Sequence, residues 1–130
     1  MFKTGVLNPH ILSLLARVRH TNTLVISDRG FPFWPQIETV DISLMDDVPT
    51  VVQVLEAIRG NFVIGQAFMA EEFLTANSDA TRLKYERALG EVPLVYESHE
   101  KNFKPRVPLA IGLIRTGDTV QYGNIILVSA

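Results

Sequence analysis

The chain of 130 residues contains no cysteine, which excludes disulfide bonds, thiolate zinc sites and cysteine nucleophiles. We expect a cytoplasmic protein, since a reducing compartment is compatible with that absence and the first residues do not form a signal peptide. No apolar run approaches the ~18 residues of a membrane-spanning helix, so we expect no membrane partner. Charge is nearly balanced, with 12 basic and 14 acidic residues, and no basic cluster is present. This balance argues against a nucleic-acid partner.

Apolar side chains are abundant enough for a packed core. Hydrophobic residues make up 47% of the chain and charged residues 20%, which is far from the composition of disordered proteins. A chain of this length falls within the usual size of one domain. We therefore expect a single globular domain over residues 1–130.

Helical and strand patterns alternate along the chain. Asn8-Pro9 predicts a helix that ends near Arg19 or His20, and Pro49-Thr50 opens another that Gly60 closes. Strands are predicted over 24–27, 40–44, 62–68, 93–97, 109–115 and 122–128, and further helices over 70–74, 79–89 and 99–103. The pattern favours an α/β fold of three layers, α/β/α, with a mixed, mostly parallel central sheet. Since Thr116-Gly117-Asp118 suits a tight turn, the last two strands are predicted to form an antiparallel C-terminal hairpin at the sheet edge.

The strand predicted at 24–27 has a candidate proton-transfer group at each end. His20 precedes it, and a histidine side chain titrates nearest neutral pH, as general acid/base catalysis requires. A histidine near a helix C-terminus also commonly just complements the helix dipole. Asp28 follows the strand at the end where open α/β sheets bind ligands, although an aspartate shortly before a glycine is also an ordinary turn former. We interpret the two side chains as able to face one pocket without a metal.

Two later segments carry candidate ligand-binding side chains. His99 follows Ser98 in the first turn of a predicted helix, where exposed amides favour a neutral ring that can donate and accept hydrogen bonds. A surface histidine is the alternative. Tyr122 and Asn124 are predicted to share one face of a strand, with Gly123 leaving the backbone open to close approach. An ordinary strand start after a turn explains Gly123 equally well.

The aromatic loop Phe31-Pro32-Phe33-Trp34-Pro35 either stacks on a ligand or packs into a neighbouring subunit, and packing is slightly favoured. The chain has no phosphate loop, dinucleotide fingerprint, nucleophile elbow or His-x-x-x-His pair. Metal and nucleotide chemistry is therefore only weakly supported by motifs.

Several short strings follow one another in a specific order and spacing. They are Gly5-Val6-Leu7-Asn8, His20-Thr21-Asn22-Thr23, Asp28, Ala70-Glu71-Glu72, Ser98-His99-Glu100, Phe103-Lys104, Ile114-Arg115-Thr116-Gly117 and Tyr122-Gly123-Asn124-Ile125-Ile126-Leu127. Together they cover nearly the whole chain and resemble the D-ribose pyranase and L-fucose mutarotase family of cytoplasmic sugar-ring isomerases.

The resemblance implies an isomerase of a free monosaccharide that uses no metal or organic cofactor. It implies that His20 is the proton donor and that Asp28, His99 and the segment Tyr122, Gly123 and Asn124 bind the sugar. It also implies a ring-shaped homo-oligomer, often two stacked pentamers, with pockets near subunit contacts. Ring opening of a hemiacetal requires only proton transfers, which general acid/base catalysis accelerates by ~10²–10⁴-fold.

Two features of the sequence concern the identity of the sugar. His99 favours the ribose branch, because fucose mutarotases tend to carry an arginine in that segment. Arg29 and the bulky Phe33-Trp34 stand where ribose pyranases usually have smaller residues. The alternatives to ribose are therefore L-fucose or another aldose. A non-catalytic sugar-binding regulatory module is the alternative from another class.

Overall fold

A computed structural model describes all residues of the chain, 1–130. The helices are α1 (Pro9–Arg17), α2 (Val51–Arg59), α3 (Glu72–Ala76), α4 (Asp79–Leu89) and α5 (Lys104–Arg106). The strands are β1 (Thr23–Ser27), β2 (Glu38–Asp41), β3 (Ile64–Ala70), β4 (Leu94–Glu97), β5 (Gly112–Arg115) and β6 (Ile125–Ser129). No helix is both long and apolar enough to cross a bilayer.

Short polar side chains fix the starts of the three longest helices. The Asn8 side chain accepts hydrogen bonds from two backbone N–H groups in the first turn of α1. Thr50 forms a capping box with Gln53 at the start of α2, and Ser78 accepts from a backbone N–H of α4. Each cap satisfies donors that a helix end leaves unpaired. The predicted starts of these helices are confirmed.

The six strands form one sheet in the order β2-β5-β1-β6-β3-β4. Five strands run in the same direction, and β6 runs antiparallel between β1 and β3. The predicted α/β fold with a mixed, mostly parallel sheet is confirmed, as is the antiparallel C-terminal strand. The predicted hairpin is wrong: β1 lies between β5 and β6, and β6 is an interior strand.

Thr116, Gly117 and Asp118, which are predicted to form the hairpin turn, make contacts with other parts of the chain. The backbone N–H and the hydroxyl of Thr116 both donate to the carbonyl oxygen of Ser27. Gly117 lies so close to the Met45 carbonyl that a Cβ there would overlap it. The Asp118 carboxylate accepts from the backbone N–H of Val51 at 2.8 Å. The connection 116–124 therefore passes over the end of β1 and does not fold β6 back onto β5.

Two apolar cores lie on opposite faces of the sheet, so the structure has the predicted three layers. Helices α1 to α4 cover one face, where Leu24 and Ile26 of β1 are fully buried. Val25 faces the other core, beneath the loop after β1 and the segment 99–109. This segment consists of a π-helical turn (His99–Phe103), α5 and a 3₁₀ turn (Val107–Leu109). Burial on both faces fixes β1, whose end carries Asp28.

Candidate active site

The candidate functional residues gather at one edge of the sheet. Asp28 directly follows β1, and His99 comes shortly after β4. Asn124 directly precedes β6, and because β6 is antiparallel its beginning lies at the same edge as the ends of the other strands. This is the edge where open α/β sheets bind ligands. A cleft of about 350 Å³ opens there, lined by Asp28, Gly30, Phe31, Pro32, His99, Lys104, Gln121, Tyr122 and Asn124.

Asp28 and Asn124 are joined directly. The backbone N–H of Asp28 donates to Oδ1 of the buried Asn124 at 2.7 Å. Oδ1 of Asp28 accepts from the N–H of Gly30 at 2.9 Å. Burial raises the pKa of the Asp28 carboxyl, although hydrogen bonds from Gly30 and Phe31 oppose the shift. The cleft thus holds a half-buried carboxylate that is a stronger base than an exposed aspartate.

His99 is held by its backbone and by ring packing. Its N–H donates to both carboxylate oxygens of Glu72, at 3.1 and 3.2 Å. Its ring packs edge-on against the Tyr122 ring, with centroids 5.1 Å apart. Nδ1 lies 3.6 Å from Oε1 of Glu100, and the buried Nε2 has no hydrogen-bond partner in the protein. Burial and the nearby Lys104 lower the pKa of His99, so the ring is neutral near neutral pH.

Tyr122 and Asn124 line the cleft, but they do not share a strand face as predicted. Residues 121–124 form a turn, and β6 begins at Ile125. Tyr122 has a φ of +56°, a left-handed conformation that a pattern of alternating side chains does not reveal. Gly123 is buried between them and is not part of the cleft wall. The space that a Cβ would occupy at Gly123 is taken by the hydroxyl of Tyr85.

Lys104 also forms part of the cleft wall, which the sequence patterns did not predict. Its Nζ lies 2.7 Å from Oε1 of Glu100. His99 and Lys104 are five residues apart, and the backbone N–H of Lys104 donates to the carbonyl of His99 across the π-helical turn. Regular α-helical spacing would place the two side chains on different sides. The only indication in the sequence was that Phe103-Lys104 is one of the strings that carry the family resemblance.

The aromatic loop is divided between the cleft and the solvent. Phe31 and Pro32 form part of the cleft wall, and the Phe31 ring packs edge-on against Phe103 at 6.3 Å. Phe33 is 70% exposed. Packing of this loop into a neighbouring subunit stays a prediction. Arg29 is not part of the cleft wall, and its exposed guanidinium pairs with Asp46 at 2.8 Å.

His20 lies at the opposite edge of the sheet, so the expectation that it shares a pocket with Asp28 is wrong within one chain. It is exposed in the turn before β1, where the N–H of Thr21 donates to the carbonyl of Ser129 at 3.0 Å. β1 has five residues, which separates the groups at its two ends by roughly 17 Å. This separation could be predicted from the sequence, because side chains at opposite ends of one extended strand cannot meet.

The cleft combines groups that suit a neutral, polyhydroxylated ligand. A carboxylate, an amide and a neutral imidazole supply both donors and acceptors, and the Tyr122 ring adds an apolar surface. The one cation of the wall, Lys104, is already paired with Glu100. Hydroxyl recognition therefore fits this cleft better than recognition of a multiply charged anion.

Comparison with known proteins agrees with this chemistry. Residues 1–130 match the family described as the RbsD / FucU transport protein family. The chain belongs to this family. Curated relatives include a D-ribose pyranase of Geobacillus thermodenitrificans (strain NG80-2), which is 36% identical over 129 residues, or 99% of this chain and 96% of that protein. A D-ribose pyranase of Bacillus cereus (strain ATCC 10987 / NRS 248) is 36% identical over 98% of this chain and 95% of its own length.

Solved structures also support membership of this family. RbsD of Bacillus subtilis, complexed with D-ribose, superposes with a TM-score of 0.92 at 30% identity and covers 100% of this chain and 98% of that chain. The fucose mutarotase of Streptococcus pneumoniae, in complex with L-fucose, superposes with a TM-score of 0.79 at 17% identity, covering 95% and 92% of the two chains. The second likeness concerns the fold alone. The family resemblance seen in the sequence is confirmed.

Proposed function

We propose that this protein is a cofactor-free sugar-ring isomerase that interconverts the pyranose and furanose forms of free D-ribose, acting in the cytoplasm. The observation that carries the proposal is the cleft itself, which brings Asp28, His99, Tyr122 and Asn124 together at the ligand-binding edge of the sheet. Relatives named D-ribose pyranase and a D-ribose complex of a family member support the choice of sugar.

The side chains of the cleft would bind a free sugar through its hydroxyl groups. The carboxylate of Asp28 accepts from sugar hydroxyls, and the side-chain amide of Asn124 donates to one of them. The unpaired Nε2 of His99 forms a hydrogen bond to another. The Tyr122 ring packs against the C–H face of the sugar. Gly123 contributes through its small size, since any side chain there would displace the turn.

The proton donor in this proposal is His20 of a neighbouring copy of the chain. His20 is exposed and lies at the far edge of the sheet from the cleft. A contact between these two different surfaces is a head-to-tail contact, and such contacts generate closed rings when the rotation between copies closes. The site then requires a homo-oligomer, and two stacked pentamers agree with the family resemblance.

The reaction consists of two balanced proton-transfer steps. In ring opening, the C1–O5 bond breaks as O5 takes a proton from the His20 imidazolium, and the anomeric hydroxyl gives its proton to Asp28. Burial raises the pKa of the Asp28 carboxyl, which helps it accept that proton. In closure, the O4 hydroxyl attacks C1 and returns a proton to His20, while the aldehyde oxygen takes the proton back from Asp28. The product is the furanose, and both catalytic groups are restored.

Exchange NMR of ribose tests the proposal. Native protein is expected to accelerate exchange between the pyranose and furanose signals, and His20→Ala is expected to abolish that acceleration. His10→Ala is the matched control, because His10 is also exposed but lies in the first turn of α1, away from the cleft. Retained exchange in His20→Ala would overturn the role of His20.

The same measurement separates the remaining candidates. Faster exchange of L-fucose than of ribose would assign the other branch of the family, whose fold this chain shares. Binding of ribose without accelerated exchange of any aldose would identify a sugar-binding regulatory module.

A further inference from the structure

Asp118 is a buried carboxylate that the proposed reaction does not use. It is 2% exposed and forms no ion pair. Oδ2 accepts from the N–H of Val51 at 2.8 Å and from the Tyr85 hydroxyl at 3.5 Å, and Oδ1 accepts from the N–H of Val120 at 2.8 Å. A buried charge without a cation is costly unless neutral donors surround it. These donors come from α2, from α4 and from Val120, which directly precedes the turn of residues 121–124.

Tyr85 connects Asp118 to that turn. Its side chain extends from α4, is 2% exposed and packs against the Phe73 ring with centroids 4.8 Å apart. Its hydroxyl occupies the space beside Gly123, where a Cβ would overlap it. Burial and the negative charge of Asp118 raise the pKa of the Tyr85 hydroxyl, so it keeps its proton and donates to the carboxylate.

The opposite side of the same turn forms the cleft wall. Tyr122 and Asn124 flank Gly123 and line the cleft, while Tyr85 and Asp118 line a separate cavity of about 360 Å³. The carbonyl oxygen of Asp118 also accepts from the N–H of Arg29 at 3.0 Å, next to Asp28. The turn thus has the cleft on one side, while the Tyr85 hydroxyl, which Asp118 holds, contacts it at Gly123.

We propose that Tyr85, held by Asp118, is a positioning residue that sets where Tyr122 and Asn124 stand in the cleft. The activity part of this proposal rests on the proposed function, because it concerns the same sugar site. The positional part concerns the ligand-free protein. The contrasting possibility is that the two residues stabilise the fold without affecting the cleft.

The test combines a substitution that crowds the contact with one that relieves the crowding. Gly123 does not have a positive φ, so Gly123→Ala adds a methyl group without backbone strain and pushes against the Tyr85 hydroxyl. We expect kcat/KM for ribose exchange to fall by about 10- to 100-fold, since misplacement by ~1 Å costs about this much. The loss is expected mainly in KM. In Tyr85→Phe/Gly123→Ala the overlapping oxygen is gone, and the nearest atoms to the methyl group are the Val120 oxygen at 3.1 Å and the ring carbon that carried the hydroxyl at 3.3 Å.

Recovery in the double variant supports the proposal, and a double variant as impaired as Gly123→Ala contradicts it. Tyr85→Phe alone is expected to raise KM a few-fold with kcat kept. Tyr96→Phe is the matched control, because its hydroxyl also bonds a carboxylate, Glu86 at 3.4 Å, but lies outside the cleft. Tyr85→Phe and Tyr96→Phe are each expected to lower the melting temperature, by similar amounts. If these two variants have equal KM values at equal stability, Tyr85 has only a structural role. This comparison holds even if Gly123→Ala does not fold.

Crystal structures without sugar make the outcome independent of the proposed function. In Gly123→Ala or Tyr85→Phe, the Tyr122 and His99 ring centroids are expected to depart from their 5.1 Å separation. An unchanged separation in both variants would refute the positional claim. Native protein that exchanges no aldose would refute the proposed function and leave the positional claim to these structures.

Discussion

Replacement of Asn124 by alanine tests whether one side chain both completes the cleft and holds Asp28. The side-chain oxygen of Asn124 is the acceptor of the Asp28 N–H at 2.7 Å, and Asn124 is only 3% exposed. Loss of that acceptor leaves a part-buried donor unpaired, which costs about 1–2 kcal/mol of unfolding free energy. For a chain of this size, we expect the melting temperature to fall by roughly 3–8 °C.

The same substitution removes a proposed sugar contact and frees the backbone that carries Asp28. We expect the dissociation constant for ribose to rise about 10- to 100-fold, which corresponds to ~1.4–2.8 kcal/mol. Asn8→Ala is the matched control: the Asn8 side chain accepts from two N–H groups at the start of α1, far from the cleft. Its loss costs about 1 kcal/mol of stability and is expected to leave ribose binding unchanged.

Calorimetric titration of ribose, together with thermal unfolding of both variants, decides the matter. The reasoning is refuted if Asn124→Ala binds ribose as tightly as native protein does. It is refuted equally if Asn8→Ala, at similar stability, loses as much affinity as Asn124→Ala.

Two further predictions concern the protonation of His99. Because burial and Lys104 lower its pKa below the ordinary value of 6.5, ribose affinity is expected to stay constant from pH 8 through 6.5 and to fall only at lower pH. The unfolded chain takes up the proton first, so this group's contribution to stability is lost as the pH falls from about 6.5 through the lowered pKa. A fall in affinity centred at or above pH 6.5 would contradict the assignment of a neutral ring. Lys104→Met removes the positive charge and releases Glu100, so the pH at which ribose binding is lost is expected to rise. Titration of ribose at a series of pH values measures this midpoint. A midpoint that stays in place or moves lower would contradict the electrostatic argument.

Much of the fold could be predicted because local patterns determine it. The caps at Asn8, Thr50 and Ser78 set the helix starts, and α4 matches its predicted bounds of 79–89. The order of the strands could not be derived in this way, because it depends on contacts between distant segments. Thr116 belongs to a segment that is typical of turns, but its hydrogen bonds to Ser27 direct the chain across the end of β1.

The candidate site was predictable where residues follow strand ends and unpredictable where the backbone departs from regular structure. Asp28 and His99 line the cleft because each follows a parallel strand, which the sequence indicated. Lys104 reaches the cleft through a π-helical turn, and Tyr122 through a positive φ, and neither feature has a periodic signature. The position of His20 follows from strand length alone.

The central claim is that a catalytic site combines the cleft of one copy with His20 of another. Mixed oligomers of His20→Ala and Asp28→Asn, refolded together in equal amounts, test it most directly. Each variant alone is expected to be inactive in ribose exchange. In the mixture, a site works when its cleft comes from His20→Ala and its histidine from Asp28→Asn, so random assembly restores about one quarter of native activity. If the mixture is as inactive as its components although mixed particles form, the shared site is contradicted.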